Sequence, residues 1–163
     1  MLSKRTAALL TTILAIASVG LTAFAAADQR WFVAESSEGD FAVGLISAEM
    51  CVSGTCRKAA VSSFDSTGES PRLGLAVFFA AVLAGFLLFA STARMLIGSA
   101  RFPALPKLSL FAAIFAAVIA GAWLLASPWS ESMVPGVATI FFFIGTALAA
   151  ATAAVPLGAL RAR

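Results

Sequence analysis

The sequence contains no histidine, no tyrosine and no asparagine, and it has two cysteines. Without histidine, the chain lacks the usual general base at neutral pH and the commonest metal ligand. Without asparagine it has no acceptor for N-glycosylation, and two cysteines are too few for a zinc site made of cysteine alone. We therefore expect no catalytic residue, no metal and no cofactor, and the chain is not predicted to be an enzyme.

Charged residues are also scarce. They make up 12% of the 163 residues, whereas 61% of the residues are hydrophobic and the mean hydropathy is +0.98. A typical soluble domain has about 25% charged and about 45–50% apolar residues. A globule of this size cannot cover so much apolar surface in water. The composition therefore excludes a soluble enzyme, a disordered chain and a nucleic-acid-binding domain, and it indicates an integral membrane protein.

Four stretches of the sequence are long and apolar enough to cross a membrane, since a bilayer core of about 30 Å requires about 20 apolar residues of helix. The stretches are residues 6–27, 73–98, 108–126 and 134–158. Arg94 is the one ionisable residue within them, which argues against a proton or ion path through the spans. The sequence therefore predicts a single all-α membrane domain over residues 1–163, a four-helix transmembrane bundle with a polar segment, 28–72, between the first two helices.

The basic residues are distributed unevenly about the predicted spans. Seven of them lie on one side without any acidic residue: Lys4, Arg5, Arg94, Arg101, Lys107, Arg161 and Arg163. The other side carries all eight acidic and four basic residues, so charges of +7 and −4 sum to the net +3. Basic loops stay in the cytoplasm. Both termini should therefore be cytoplasmic and residues 28–72 should lie outside, and the pI of 9.4 reflects topology rather than a nucleic-acid partner.

The first apolar stretch has two interpretations. It also resembles a secretory signal peptide, with Lys4 and Arg5, the apolar run and a cleavage site of the form Ala-x-Ala at 23–25 or 25–27. The apolar run is longer than the 7–15 residues or so that are typical of a signal peptide, which favours a retained helix. Both interpretations leave residues 28–72 outside the membrane.

The polar segment has the pattern of a small extracellular β-sheet. Residues 30–34 and 41–46 are rich in aromatic and β-branched side chains, and residues 50–57 read as a hairpin with Ser53-Gly54 as its two-residue turn. In that register Cys51 lies opposite Cys56 in a non-hydrogen-bonded pair, where side chains approach most closely. We therefore expect a disulfide, which the oxidising outer side permits. A redox or metal-binding pair is the alternative, although the spacing is C-x₄-C.

Small residues recur every four positions in the third and fourth spans. The third span carries Ala113, Ala117 and Gly121, and the fourth carries Gly145 and Ala149. Such rows allow helices to approach closely in lipid. They predict either packing within the bundle or an interface between copies of the chain.

Several residues of the segment between the first two spans match the pattern of a known superfamily of four-span proteins. Trp31 follows the first span by a few residues, Gly44-Leu45 precedes the cysteine pair, and Arg72 lies at the start of the second span. Together with four spans, this arrangement resembles the claudin and peripheral myelin protein superfamily. The resemblance implies cytoplasmic termini, an outer β-sheet with one disulfide, and a role in adhesion or as an auxiliary subunit. Without the resemblance, the position of Trp31 predicts either an anchor at the membrane interface or a packed loop residue.

The chain also departs from that family. Ile46 stands where the family motif has tryptophan, only four residues separate the two cysteines, and the chain ends in Arg161-Ala162-Arg163 rather than in the tail that many claudins use to bind PDZ domains. The alanine-rich, asparagine-free composition suits a bacterium with GC-rich DNA. We therefore expect a distant relative of the superfamily in a bacterial inner (plasma) membrane.

Three functions are compatible with the sequence. The first is a claudin-like, non-enzymatic interaction protein that uses its outer loop for protein–protein contact or self-association. The second is an accessory structural subunit of a larger bacterial membrane complex, and the third is a small channel or transporter component. The third rests on the acidic residues of the loop, which would attract cations: Asp28, Glu35, Glu38, Asp40 and Glu49. The expected partners are the lipid bilayer and a membrane protein or a second copy, with no small-molecule substrate identified.

Overall fold

The structure of the protein is a computed structural model that describes residues 4–36, 39–64, 69–97 and 104–161. Within these ranges the chain forms four long helices, which are α1 (Lys4–Ala27), α2 (Glu69–Ile97), α3 (Leu105–Ala126) and α4 (Val137–Arg161). Each helix contains a stretch that is long and apolar enough to cross a membrane, with a mean hydropathy between 2.0 and 2.6. The predicted class of a four-helix integral membrane protein is confirmed.

Several threonine hydroxyls inside the helices bind to the backbone of their own helix. The Thr22 hydroxyl donates to the carbonyl oxygen of Ser18 at 2.9 Å, and the Thr92 hydroxyl donates to that of Leu88 at 2.9 Å. A membrane offers no water to such groups, so these local hydrogen bonds make a buried hydroxyl tolerable. They explain why the apolar stretches can contain these two threonines without a partner from another helix.

Helices α1 and α4 are in close contact at Gly145. A Cβ atom at this position would lie 2.7 Å from Cγ2 of Thr22 and 3.1 Å from its backbone nitrogen. The Ser18 hydroxyl bridges the same two helices by donating to the Gly145 carbonyl oxygen at 2.8 Å. The first apolar stretch therefore forms a packed helix of the bundle.

The other small residues of the predicted rows occupy different environments. Ala113 and Ala149 are buried in one apolar cluster together with Leu88. Ala117 and Gly121 are half-buried, and a Cβ atom at Gly121 would have no neighbour within 4 Å. The rows thus serve packing inside the bundle at Ala113, Gly145 and Ala149, whereas the end of the α3 row borders open space.

A five-stranded antiparallel sheet covers one end of the bundle. Its strands are β1 (Phe32–Ser36), β2 (Gly39–Val43), β3 (Ser47–Val52), β4 (Thr55–Ala60) and β5 (Val134–Pro135). Their order across the sheet is β4-β3-β2-β1-β5. The predicted small sheet between the first two helices is confirmed, and a short strand from the connection between α3 and α4 extends it.

Two predicted strands are longer than the observed ones at one end. The first was expected to begin at Arg30, but Asp28 accepts a hydrogen bond from the Arg30 backbone N–H at 2.9 Å and holds this stretch in a turn. The second was expected to end at Ile46, but the Gly44 N–H donates to the Ser47 carbonyl at 2.9 Å and turns the chain earlier. Local hydrogen bonds therefore displace both boundaries.

The fourth span begins later than the predicted residue 134. Val134 and Pro135 form β5, which pairs with β1, and α4 begins only at Val137. The Gly136 N–H donates to the Trp31 carbonyl oxygen at 2.7 Å and fastens this segment to the sheet. Hydropathy alone does not distinguish a short apolar edge strand from the first turn of an apolar helix.

The described basic residues of the predicted cytoplasmic side lie at the helix ends opposite the sheet. They are Lys4 and Arg5 in α1, Arg94 in α2, Lys107 in α3 and Arg161 in α4. Arg101 and Arg163 lie outside the described residues, as does residue 98 at the end of the predicted second span. This arrangement agrees with the positive-inside rule, and the orientation in the membrane stays a prediction.

Strand pairing divides the sheet into two faces, because residues directly opposite each other in a ladder share a face and successive residues alternate. The bundle face carries Phe32, Phe41, Val43, Ala48, Met50, Val52 and Arg57. The outer face carries Val33, Glu35, Asp40, Ala42, Glu49, Cys51, Cys56 and Lys58. On the bundle face, Phe32, Val43 and Ala48 are buried in the cluster that also contains the ends of all four helices. The sheet is therefore packed onto the bundle through one face.

Candidate interaction site on the outer sheet

The hairpin of β3 and β4 has the predicted turn and the predicted disulfide. Ser53 and Gly54 both have positive φ angles, 50° and 79°, as a two-residue turn that matches the twist of the strands requires. Cys51 lies opposite Cys56 in the ladder, with a Cα–Cα distance of 4.0 Å and a bond between the two sulfur atoms. The distance is close to that of a non-hydrogen-bonded pair, about 4.5 Å. The disulfide prediction is confirmed.

The carboxylate of Glu49 lies beside this disulfide. One carboxylate oxygen and the two sulfur atoms of Cys51 and Cys56 lie within 4.8 Å of one another. Cysteine binds metals as a thiolate, and both sulfurs are bonded to each other. The group therefore has only the carboxylate as a metal ligand while the disulfide is intact. Lys58 on β4 lies 3.8 Å from Glu49 and forms an exposed ion pair with it.

Trp31 is buried where the sheet joins the bundle. Its side chain is 0% exposed, and its indole N–H donates to the carbonyl oxygen of Ala25 at 2.7 Å. Its ring lies 5.4 Å from the ring of Trp123 on α3 and 5.0 Å from that of Phe142 on α4. Of the two interpretations open at the sequence level, the packed loop residue is the observed one.

Gly44 and Leu45 belong to the same junction. A Cβ atom at Gly44 would lie 2.9 Å from both the Asp28 carbonyl oxygen and the Gln29 Cα atom, so the chain after β2 touches the chain after α1. Leu45 is 1% exposed and is buried in the same cluster as Trp31. Trp31, Gly44 and Leu45, which match the superfamily pattern, therefore pack together in one unit.

The side chains of Arg72 and Ile46 are not packed in that unit. The Arg72 side chain is exposed near the start of α2, and Ile46, which replaces the family tryptophan, is 44% exposed. Only part of the predicted outer-loop motif is therefore brought together. Arg72 remains accessible from outside the bundle.

The Asp28 carboxylate forms an ion pair with Arg30, two residues further along the chain. The carboxylate accepts hydrogen bonds from the Arg30 guanidinium, at 2.7 Å from Nη2 and 3.0 Å from Nε. These bonds, with the nearby positive charge, lower the pKa of Asp28 below its ordinary value. Asp28 therefore stays ionised and paired, and it contributes little to an open acidic surface.

Three of the other predicted acidic residues lie together on the outer face of the sheet. Glu35 lies directly opposite Asp40, and Asp40 lies opposite Cys51 on the next strand. Together with Glu49 they line a shallow cavity of about 220 Å³, which Arg30 also borders. Glu38 lies outside the described residues. The acidic character was visible in the sequence, whereas the shared face became visible only with the register of the strands.

The fold and the site define a class of protein, an integral membrane protein with four candidate spans and a disulfide-containing sheet on one end of the bundle. No protein-family model matches the chain, and no curated protein shows significant sequence similarity to it.

Replacing both cysteines by serine should loosen the hairpin without unfolding the bundle. The disulfide closes a short loop, for which chain entropy predicts a stabilisation of about 2 kcal/mol, and the bundle contacts lie at the other end of the strands. We expect faster hydrogen exchange in residues 47–60 of C51S/C56S and a fall in melting temperature of about 5 °C in detergent. Global unfolding of the variant would contradict this expectation.

Proposed function

We propose that the protein is a non-enzymatic membrane interaction protein, claudin-like in plan, whose outer sheet binds a membrane-protein partner. The disulfide-pinned loop and the four spans support this role. The absence of histidine from the sequence and the apolar character of the spans favour a binding role over catalysis. The superfamily resemblance adds that such a sheet serves adhesion or the recognition of a larger membrane protein.

The single observation that carries the proposal is the acidic outer face. Glu35 and Asp40 are exposed and Glu49 is half-buried, all on the side of the sheet turned away from the bundle. Complementary charge guides association and selects partners. The partner should therefore present basic side chains to this face.

The charge on this face also favours a different protein over a second copy. Contact between two copies through their outer faces would bring Glu35 and Asp40 of one copy near those of the other. Like charges brought together at an interface cost several kcal/mol. Self-association would therefore require another surface.

The sheet is held rigidly enough to act as a binding surface. Trp31 fixes its base through a hydrogen bond and two ring contacts, and the disulfide joins the edge strand β4 to its neighbour β3. A surface that is ordered before binding loses less conformational entropy when a partner arrives. The construction of the sheet is thus consistent with recognition by shape and charge.

Charge reversal on the outer face tests the proposal. The tagged full-length protein would be purified from its native membrane in a mild detergent, together with the E35K/D40K variant, and co-purifying proteins would be quantified by mass spectrometry. We expect a stoichiometric partner with the wild type and at least a tenfold loss with the variant, about 1.4 kcal/mol. The identity of the partner would distinguish an adhesion role from an accessory-subunit role.

Glu131→Lys is the matched control. Glu131 is an exposed acidic residue in the connection between α3 and α4, at the same end of the bundle but outside the acidic face. Its reversal should leave the partner bound. Equal recovery of the partner with E35K/D40K and with the wild type would refute the proposed surface, and so would an equal loss with E131K.

A further inference from the structure

The bundle face of the sheet continues beyond the part that the helices cover. Phe32, Val43 and Ala48 on this face are buried, but Met50 is 41% and Val52 is 45% exposed. Arg57, opposite Met50 on β4, is exposed as well. The β3–β4 hairpin thus presents two apolar side chains and one basic side chain on the same side.

This side is turned towards the membrane. The cluster beneath the buried part of the bundle face contains residues from every helix, among them Ala26, Val77, Trp123 and Ala138. A sheet face that covers the ends of membrane-crossing helices points along those helices into the bilayer. The uncovered remainder continues the same face, rotated only by the twist between neighbouring strands, about 20–25° each.

The strand next to the hairpin, β2, contacts segments that flank the helix ends. Phe41, directly opposite Met50, has its ring 5.8 Å from that of Trp129 and 5.6 Å from that of Phe64. Trp129 follows the end of α3 by three residues, and Phe64 precedes α2 by five. The headgroup layer on each side of a bilayer is about 5–7 Å thick, so Met50 is within reach of that layer.

We propose that the β3–β4 hairpin docks on the phospholipid headgroups of the protein's own bilayer, with Met50 and Val52 in the interfacial layer and Arg57 bound to lipid phosphate. The acidic side chains of the sheet lie away from the anionic headgroups. Glu35, Asp40 and Glu49 are on the outer face, where Lys58 pairs with Glu49, whereas Arg57 is a basic residue of the bundle face. Apolar side chains flanked by a basic residue are typical of segments that bind at this interface.

Docking on lipid goes beyond the proposed protein contact and does not depend on it. It would hold the sheet against the membrane and leave the outer face free. A second copy or another protein seated on Met50 is the competing occupant, which the test below distinguishes by mass.

Site-specific photo-crosslinking tests the docking. The full-length protein, with benzoylphenylalanine in place of Met50, would be reconstituted in vesicles of phosphatidylethanolamine and phosphatidylglycerol and irradiated, and adducts would be identified by mass spectrometry. The matched probe replaces Lys58, which is exposed on the outer face of the same hairpin. We expect lipid adducts several-fold more abundant from position 50 than from position 58, in protein whose disulfide is intact.

The charge of Arg57 provides a second readout. In the position-50 probe, Arg57→Glu should lower the lipid adduct yield at least about fivefold in these anionic vesicles, and by less in vesicles of phosphatidylcholine alone. Equal lipid yields from positions 50 and 58 would overturn the proposal. Adducts of protein mass at position 50, or an unchanged yield in R57E, would overturn it as well.

Discussion

Replacing Trp31 with alanine is expected to lower the free energy of unfolding by about 3–5 kcal/mol, the range for deletion of a large buried aromatic side chain. The indole is 0% exposed and contacts the rings of Trp123 and Phe142. Its removal would open a cavity where the sheet and three of the helices meet. Thermal unfolding in a mild detergent, followed by circular dichroism, should show a fall in melting temperature of about 10 °C.

Two further variants separate the causes of that loss. Trp31→Phe keeps an aromatic ring but leaves the Ala25 carbonyl without its 2.7 Å donor, so it should cost less than alanine, about 1–3 kcal/mol. Trp129→Ala removes a half-buried ring that contacts the ring of Phe41, and it should cost less than W31A. If W129A destabilised the protein as much as W31A, Trp31 would not be the anchor of the sheet.

Replacing Gly74 with alanine is expected to prevent the sheet from seating on the bundle. A Cβ atom at this position would collide with the carbonyl oxygen of Leu45, and neither backbone can retreat because Leu45 is itself buried. Alanine is otherwise the better helix former by about 1 kcal/mol, so a loss of stability would report the collision alone. We expect a lower melting temperature and a smaller yield of monodisperse protein.

Gly85→Ala on the same helix is the control for this effect. A Cβ atom at Gly85 would have its nearest neighbour, a Val19 methyl group, at 3.8 Å, an ordinary contact distance. The substitution should leave the melting temperature unchanged or raise it slightly through helix propensity. A G74A protein as stable as G85A would show that α2 and the turn after β2 are not in close contact.

The features that could be predicted from the sequence are those set by local pattern. Hydropathy located the four helices because a bilayer-spanning helix needs a long apolar stretch. The turn at Ser53-Gly54 determined the register that pairs Cys51 with Cys56, because a two-residue turn leaves only one pairing. Both predictions depend on residues close together in the chain.

The features that could not be predicted depend on contacts between distant residues. The pairing of Val134 with Val33 joins residues about a hundred positions apart, and nothing near Val134 distinguishes it from the start of a helix. The burial of Trp31 likewise depends on Trp123 and Phe142. The common face of Glu35 and Asp40 required the observed pairing of β1 with β2.

The two faces of the sheet suggest a division of roles. In our proposal, Glu35 and Asp40 on the outer face contact a protein partner. Met50 and Arg57 on the bundle face contact lipid. The charge reversals and the photo-crosslinking address these faces separately. Loss of the partner in E35K/D40K with unchanged lipid adducts would show that the faces act independently.

The central proposal is that the outer sheet binds a protein partner, and native mass spectrometry of the complex tests it most directly. The tagged protein would be extracted from its own membrane in a mild detergent at native abundance. We predict a species heavier than the tagged chain alone, whose mass is the 16.7 kDa of the chain plus that of its tag, with a second protein in fixed ratio that E35K/D40K loses and E131K retains. A monodisperse tagged monomer with no bound protein would contradict the account.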